Sequence, residues 1–297
     1  MAQSNDKNWN RANTLFSKKA TSADFALVGI PAYKTALSQT SAHKTPAAIR
    51  SALAKYSTLH GSSGVDLRDL TLTDLGDISL PDGPAGEKRV NAALSDARNY
   101  FKLLVALGGD NSITYSLVRA LWKDLSQIGV ITLDAHHDLR DGISNGSPIW
   151  RLIQAGLPGA NIVQIGISDF ANSREYSNRA RELGITVITR AQMRKYSIEQ
   201  IMKKALAIAG KAGREIYVDL DVDVCDRSVA PACPASVPGG ISADEIRQVA
   251  FLSGSDKRVR AIDITEIDAT MDSADQRTIR LGALLVLESA AGLANRN

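Results

Sequence analysis

Short runs of almost continuously apolar residues alternate along the chain with segments of helical periodicity, and this alternation constrains the fold most strongly. A parallel strand that is covered by helices on both faces is apolar on both faces, so its sequence lacks a polar–apolar alternation. The predicted strands are Phe25–Ile30, Lys102–Leu107, Gly129–Leu133, Ile162–Ile167, Ile185–Ile188, Glu215–Leu220 and Val259–Ile264. Strands that alternate with helices predict an α/β fold, a three-layer α/β/α domain with a mainly parallel central sheet.

Helical patterns fill the segments between these strands, and several begin near a suitable cap. Thr45 precedes Pro46, and Ser242 lies three residues before Glu245. The predicted helices are Pro46–Tyr56, Lys88–Tyr100, Ser112–Leu125, Arg190–Ala212, Ser242–Leu252 and Gln276–Ala294. Pro- and Gly-rich stretches are short, as is typical of loops within a domain. The 297 residues are therefore predicted to form a single domain, in which residues 1–20 are a loosely ordered N-terminal segment.

The composition argues against several classes of function. A formal net charge of +3, without a long run of Lys or Arg, does not favour nucleic acid as a partner. The first residues lack the apolar stretch of a signal peptide, and no apolar run reaches the roughly 18 residues of a membrane span. Two cysteines, Cys225 and Cys233, do not imply a disulfide framework. We therefore expect a cytoplasmic protein that binds neither nucleic acid nor membrane.

The candidate functional residues lie where three predicted strands end. Gly-Gly-Asp-Asn-Ser at 108–112 follows one strand, and Asp-Ala-His-His-Asp at 134–138 follows the next. Asp-Leu-Asp-Val-Asp at 219–223 ends a third strand, and Asp226 comes shortly after it. In open α/β sheets, ligands bind beyond the carboxyl ends of the strands. The three motifs are therefore predicted to meet at one edge of the sheet.

The spacing within two of these motifs can place metal ligands on one side of the chain. Side chains of an extended segment alternate between its faces, so Asp134, His136 and Asp138 can share a side. Asp221 and Asp223 can do the same. Two carboxylates about 4 Å apart repel by about 4 kcal/mol at an effective dielectric of about 20, so several such pairs need protons or cations. Oxygen-rich sites with an imidazole suit Mn²⁺, and two bridged ions would lie about 3.5–4 Å apart.

Each motif alone also has a structural interpretation. An Asp-x-His-x-Asp segment can cap a turn, Gly-Gly-Asp is common before a helix, and Asp-x-Asp-x-Asp can be an exposed strand end. The coincidence of all three at the ends of buried strands favours the metal site. The neighbouring His137 is interpreted as a packing residue, with a ligand role as the alternative.

These motifs resemble those of the ureohydrolase family, which includes arginase, agmatinase and formiminoglutamase. The segment 108–112 is similar to the family's Gly-Gly-Asp-His-Ser, and 134–138 matches its Asp-Ala-His-x-Asp. The segment 219–226 resembles its Ser-x-Asp-x-Asp-x-x-Asp signature, and residues 265–267 resemble its late glutamate motif. The resemblance implies an arginase-like fold and a hydrolase of carbon–nitrogen bonds in linear amidines or guanidines. It also implies a trimer or hexamer of identical chains.

The resemblance further implies a role for each metal-site residue. Asp134 and Asp221 would bridge two Mn²⁺ ions. His136 and Asp223 would complete one metal site, and Asp138 would bind the other ion. The two ions would lower the pKa of a bridging water molecule and so supply a nucleophile near neutral pH.

Further residues match the family or depart from it. Glu266 would hydrogen-bond the cationic carbon–nitrogen group of the substrate. Asn111 stands where the family has a metal-binding His, and its amide oxygen would bind Mn²⁺ more weakly than an imidazole. Asn145 stands near a proton-shuttling His of arginases; because asparagine cannot transfer protons at neutral pH, water or Asp226 would protonate the leaving group. Asp219 replaces the usual Ser and adds a negative charge.

The loop after the second motif indicates the class of substrate. Residues 144–148, Ser-Asn-Gly-Ser-Pro, resemble a Ser-x-Gly-x-Pro segment that helps formiminoglutamases to bind an acidic substrate. Arg140 and Arg151 would pair with the two carboxylates of N-formimino-L-glutamate, and Ser147 would contribute to the same site. Both arginines can alternatively form ordinary ion pairs, for example with Asp141.

Three alternatives to a formiminoglutamase stay open. A guanidino-acid or agmatine ureohydrolase would release urea, although a cationic substrate such as agmatine gains nothing from a nearby arginine. A non-catalytic metal-binding relative is suggested by Asn111 and Asn145, each of which removes an imidazole that the family carries. The pair His136–His137 weakly suggests a zinc deacetylase on the related fold, but the late Tyr–Gly motif of such enzymes is absent from the sequence.

Overall fold

The computed structural model describes residues 6–16 and 20–296. The predicted loosely ordered segment 1–20 thus lies partly outside the described residues. Within that segment, Ala12–Phe16 forms a 3₁₀ helix whose Ala12 is buried.

A parallel sheet forms the centre of the molecule. The strands of the described residues are β1 (Ala23–Ile30), β2 (Leu59–His60), β3 (Val65–Asp66), β4 (Leu72–Asp77), β5 (Phe101–Gly108), β6 (Ile128–Leu133), β7 (Ile162–Ile167), β8 (Thr186–Thr189), β9 (Glu215–Asp221) and β10 (Val259–Thr265). Eight of them form one sheet in the order β4-β1-β5-β10-β9-β6-β7-β8 within this part of the chain, and each neighbouring pair is parallel. β2 and β3 form a separate antiparallel pair.

Helices cover both faces of this sheet. They are α1 (Thr45–Leu53), α2 (Gly83–Leu94), α3 (Ala97–Tyr100), α4 (Ile113–Leu121), α5 (Pro148–Gln154), α6 (Arg174–Glu182), α7 (Arg190–Met193), α8 (Ile198–Ala209), α9 (Ala243–Ser255) and α10 (Arg277–Ala294). Phe25 and Leu27 of β1 pack into one hydrophobic cluster, whereas Ala26 and Val28 pack into the other. Each face of the sheet therefore has its own core, which confirms the predicted three-layer α/β/α fold. No helix among residues 6–16 and 20–296 is long and apolar enough to span a membrane.

The elements that the sequence pattern missed are weakly apolar or short. β4 is an edge strand of sequence Leu-Thr-Asp-Leu-Gly-Asp, and it is buried only at its first two residues. α6 buries a single residue, Ala180, and its N-terminus is capped by the Ser173 side chain. α5 is short, and it also lay outside the predicted helices. β4 and α6 lack the apolar periodicity on which the predictions depended, whereas α5 has apolar residues but is only seven residues long.

Two predicted helices are each divided into two. The predicted helix Lys88–Tyr100 is interrupted between α2 and α3, at Ser95 and Asp96. The predicted helix Arg190–Ala212 is interrupted between α7 and α8, because Ser197 and Gln200 form a reciprocal capping box that begins a new helix.

Candidate metal centre and active site

A cavity of about 380 Å³ opens at the carboxyl ends of the parallel strands. Its lining residues are Ala36, Leu37, Ser38, Thr40, His136, Asp138, Leu139, Arg140, Asn145, Gly146, Ala171, Asn172, Ser173, Tyr176, Asp221, Asp223, Pro234, Ala235 and Glu266. The acidic lining residues come from the ends of β6, β9 and β10, which are neighbours in the sheet. The two aspartate motifs that the sequence singled out therefore meet at the predicted edge.

Three side chains, two of which line the cavity, are close enough to hold one metal ion. Asp134 and His136 follow β6, Asp223 follows the adjacent β9, and their ligand atoms lie within 4.8 Å of one another. The His136 Nδ1 atom lies 2.7 Å from Asp223 Oδ2 and 3.4 Å from Asp134 Oδ1. The Ala135 N–H donates to Asp223 Oδ1 at 2.9 Å, which fixes the two loops relative to each other.

Two further buried carboxylates, those of Asp138 and Asp221, line the same cavity. Burial raises the pKa of Asp138 well above its usual range, and the charge of Asp134 adds to this shift. Burial likewise raises the pKa of Asp221, with a contribution from Asp223. These shifts indicate that the carboxylates repel one another in the absence of a cation.

The protonation of the cluster also suits a cation site. Burial raises the pKa of Asp134 to about 7, with help from the charge of Asp223. Burial lowers the pKa of His136, but its hydrogen bonds to Asp134 and Asp223 dominate and raise that pKa to about 12. A divalent cation that displaced the His136 proton would neutralise the same carboxylates. Hard oxygen donors together with one imidazole match the preferences of Mn²⁺.

Glu266 reaches the cavity from the end of β10. Its backbone has φ = 62°, in the left-handed region that is unusual for a residue other than glycine. Its Oε1 atom accepts hydrogen bonds from the Asn111 N–H at 2.7 Å and from Asn145 Nδ2 at 2.9 Å. Burial raises the pKa of Glu266 to about 8, with a further contribution from Asp110. The carboxyl group is thus held in place by two donors, and it lines the same cavity as His136 and Asp223.

Asn111 is buried beside the cluster, but its amide oxygen does not face it. The amide nitrogen donates to Asp138 Oδ2 at 2.7 Å, whereas the oxygen accepts from the hydroxyls of Thr114 and Thr265. The amide oxygen thus points toward the two threonines and away from Asp138, and the metal-ligand role of Asn111 stays a prediction. In this arrangement, Asn111 positions Asp138 and contributes a backbone donor to Glu266.

Asp226 does not line the cavity, so the structure does not support it as the proton donor. The chain turns after β9, and Cys225 pairs with Ile241 in an isolated β-bridge between their backbones. This pairing directs Asp226 into a surface loop. The Asp226 carboxylate accepts hydrogen bonds from the backbone N–H groups of Ser228 and Gly239. The hydrogen bonds from Ser228 and Gly239 also lower the pKa of Asp226, so it is a poor acid at neutral pH.

Two of the predicted substrate-binding residues also lie outside the cavity lining. The Ser147 hydroxyl is buried, where it accepts from the Ser144 N–H and donates to the Ser144 carbonyl, so it shapes the loop instead. Arg151 forms an ion pair with Glu87 at 2.7 Å and stacks on the Tyr115 ring at 3.6 Å. Because these side chains have partners of their own, the structure does not support the two predicted roles, which stay predictions.

Arg140, in contrast, lines the cavity. Asp141, the alternative partner that the sequence offered, forms an ion pair with Arg179 at 3.0 Å. Among the described residues, no carboxylate pairs with the Arg140 guanidinium, and its closest aromatic neighbour is the Tyr176 ring at 6.0 Å. The lining of the cavity thus includes an exposed cation that has no carboxylate partner among the described residues.

The sequence motifs did not reveal two segments of the cavity wall. One runs from Ala36 to Thr40 after β1, and the other from Ala171 to Tyr176 after β7. Both follow predicted strands, so the rule that ligands bind at strand carboxyl ends could have found them. His137 is a packing residue, as interpreted: it is buried, and its Nδ1 atom lies 2.7 Å from Gln164 Oε1.

Beneath the cluster lies a row of buried oxygen atoms. Thr132, Asp219 and Asp263 are adjacent in the register of β6, β9 and β10, and all three are fully buried. Among the described residues, both Asp219 oxygens, Asp263 Oδ1 and the Thr132 hydroxyl lack a hydrogen-bond partner. Burial raises the pKa of Asp219 well above its usual range, and the charge of Asp263 raises it further.

A parallel sheet covered on both faces, with a buried Asp–His–Asp cluster where its strands end, defines an α/β protein built to hold a divalent cation. A model of the Arginase family matches residues 23–292, and the chain belongs to this family. The resemblance that the motifs carried is thereby confirmed.

Individual relatives agree with this assignment. Formimidoylglutamase from Halalkalibacterium halodurans is 36% identical over 279 residues, which cover 90% of this chain and 86% of that protein. The crystal structure of formimidoylglutamase from Bacillus subtilis superposes with a TM-score of 0.92 at 29% identity, over 99% of this chain and 95% of that one. Formiminoglutamase from Trypanosoma cruzi, whose structure was determined with Mn²⁺, shares the fold with a TM-score of 0.88 at 24% identity, over 97% and 100% of the two chains.

Proposed function

We propose that this protein is a formimidoylglutamase, which hydrolyses N-formimino-L-glutamate to L-glutamate and formamide. The observation that carries the proposal is that Arg140, which has no carboxylate partner among the described residues, lines the same cavity as Glu266 and as His136 and Asp223 of the candidate metal cluster. An acidic amidine presents a carboxylate at one end and a cationic carbon–nitrogen group at the other. The charges of the cavity complement these two ends.

The metal cofactor in this proposal is Mn²⁺, with two ions per chain. Asp134, His136, Asp138, Asp221 and Asp223 would hold the ions. Bound divalent cations lower the pKa of water and so supply a hydroxide-like nucleophile near neutral pH. The orientation of Asn111 leaves one ion with fewer protein ligands, so we propose that this ion binds more weakly.

The side chains around the metal cluster bind and orient the substrate. Asn111 and Asn145 both donate to Oε1 of Glu266. The other carboxylate oxygen, Oε2, accepts hydrogen bonds from the N–H groups of the amidinium. Because burial raises the pKa of Glu266, a cationic substrate favours its ionised form and gains a charge-assisted hydrogen bond. Arg140 binds the glutamate carboxylate in a bidentate manner. The bond to the glutamate nitrogen breaks, and that nitrogen takes its proton from water, since Asn145 cannot supply one.

A guanidino-acid ureohydrolase is the second candidate. Since Arg151 lies outside the cavity, Arg140 is the cation that the lining offers for carboxylates among the described residues. A substrate with a single carboxylate, such as guanidinobutyrate, would satisfy Arg140 equally well. Agmatine would place a second positive charge on the same wall and is disfavoured.

A substrate panel with product identification tests the proposal. The Mn²⁺-loaded protein is assayed with N-formimino-L-glutamate, guanidinobutyrate, arginine and agmatine, while formamide, ammonia and urea are quantified. Formamide from the first substrate, in equal amount to glutamate, is the expected result. Urea from guanidinobutyrate alone would establish the second candidate, and no product from any substrate would support a non-catalytic relative.

We also propose that the chain acts in the cytoplasm as a trimer or hexamer. The basis is the family resemblance, which implies such assemblies. Sedimentation should then give a mass three or six times the 31.8 kDa of the chain, whereas a monomer would refute this point.

A further inference from the structure

The side chain of Arg140 lies directly across Gly146. The Arg140 N–H donates to the Gly146 carbonyl at 3.0 Å, so the two residues are paired through their backbones. A Cβ atom at position 146 would lie 2.7 Å from Arg140 Cδ and 3.1 Å from Arg140 Nε. The stem of the arginine therefore occupies the space that any side chain at this position would need.

The same space is closed on its other side by Leu37. The Leu37 Cδ1 atom would lie 3.2 Å from a Cβ atom at position 146. A methyl group at 146 is thus confined by Leu37 and by the backbone of its own loop. The guanidinium end of Arg140 is long and flexible, and it forms no ion pair among the described residues, so it is the group that would move.

Backbone conformation does not explain the glycine. The glycines with a left-handed φ, such as Gly142 in the same loop, do not include Gly146. An alanine at position 146 could therefore adopt the observed backbone without strain. The close approach of the Arg140 side chain is the feature that requires a residue without a Cβ atom.

We propose that Gly146 determines substrate specificity by allowing Arg140 to lie across it and to present its guanidinium to the cavity. Gly146 is a positioning residue, since it acts on the substrate only through Arg140. The inference rests on the proposed function to the extent that the substrate is a carboxylate. Its ligand class is an amidine or guanidine that carries a carboxylate at the end distant from the reacting carbon.

The first test is Gly146→Ala. We expect KM for N-formimino-L-glutamate to rise about tenfold, because a displaced guanidinium loses a charge-assisted hydrogen bond, while kcat stays within about twofold. The matched control is Gly61→Ala. Gly61 lies between β2 and β3, has no left-handed φ and has nothing within 4 Å of its added Cβ atom, so KM should not change. A loss of kcat without a change in KM would overturn the inference.

A double-mutant cycle shows whether Gly146 acts through Arg140. In an Arg140→Ala background, adding Gly146→Ala should change KM by less than about twofold, because no guanidinium remains to be displaced. An equal rise in KM with and without Arg140 would mean that the methyl group disturbs the cavity directly, which would refute the proposal.

Binding of L-glutamate, measured by calorimetry on the Mn²⁺-loaded variants, separates this inference from the proposed function. If the parent protein does not hydrolyse N-formimino-L-glutamate, the proposed function fails, but the dissociation constant for glutamate still reports on Arg140. We expect it to rise about tenfold in Gly146→Ala and not in Gly61→Ala. Equal affinities in all three proteins would overturn the role of Gly146.

Discussion

Replacing Asp219 with asparagine should make the metal-free protein less sensitive to rising pH. Asp219 is fully buried between Thr132 and Asp263, and neither of its oxygens has a hydrogen-bond partner among the described residues. Burial, followed by the charge of Asp263, raises its pKa well above the usual range. Asparagine has nearly the same shape but cannot ionise, and its amide can donate to Asp263 Oδ1.

The magnitude follows from proton linkage. The unfolded chain releases the Asp219 proton near pH 3.9, whereas the folded protein keeps it until the pH reaches the raised pKa. Between these two values the folded state binds one more proton than the unfolded state. The free energy of unfolding therefore falls by about 1.4 kcal/mol for each pH unit, and Asp219→Asn removes this loss.

The free energy of unfolding of both proteins is measured by urea denaturation at intervals from pH 5 to pH 8, with a metal chelator present. The stability curve of the variant should diverge upward from that of the parent protein as the pH rises. Asp226→Asn is the control, because the pKa of Asp226 is lowered by its hydrogen bonds from Ser228 and Gly239. Removing the ionised Asp226 carboxylate should therefore lower the free energy of unfolding at neutral pH instead of raising it. Parallel curves for the parent protein and Asp219→Asn would show that Asp219 is not held as a neutral acid.

Three further substitutions test individual parts of the site. Asn111→His should tighten Mn²⁺ binding by about tenfold in a metal titration, because it replaces an amide donor with an imidazole ligand; unchanged affinity would place position 111 away from the metal. Asn145→Ala removes one of two donors to Glu266 and should lower kcat/KM roughly tenfold to a hundredfold, whereas full activity would show that the Asn111 N–H alone holds Glu266. Arg151→Ala should leave KM for the acidic substrate within about twofold, because Arg151 pairs with Glu87 outside the cavity; a large rise in KM would restore it as a substrate ligand.

The central sheet and the metal cluster were both predictable from the sequence, for the same physical reason. Strands buried on both faces have to be apolar throughout, and polar residues at their carboxyl ends then stand out against that background. The segment after β6 bends at Ala135 and His136 instead of staying extended, so Asp134 and His136 come together through a turn in which the His136 N–H donates to Asp134 Oδ1 at 2.6 Å. The adjacent β9 brings Asp223 to them. Weakly apolar elements such as β4 and α6 gave no comparable signal.

The roles of single polar residues could not be predicted in the same way, because their partners are distant in sequence. Arg151 pairs with Glu87, 64 residues away, whereas Arg140 has no carboxylate partner in the described part of the chain, and their local sequences do not distinguish them. Asp226 fits the family motif, yet the backbone β-bridge between Cys225 and Ile241 places it in a surface loop. Such outcomes depend on tertiary packing rather than on local pattern.

Anomalous diffraction at the manganese edge, from crystals grown with Mn²⁺, would locate bound ions directly. Two peaks should lie about 3.5–4 Å apart, enclosed by the carboxylates of Asp134, Asp138, Asp221 and Asp223 and by the His136 imidazole. If the map had no peak between Asp134 and Asp221, the repulsion in this cluster would be relieved by protons alone, and the proposed hydrolysis would lose its nucleophile.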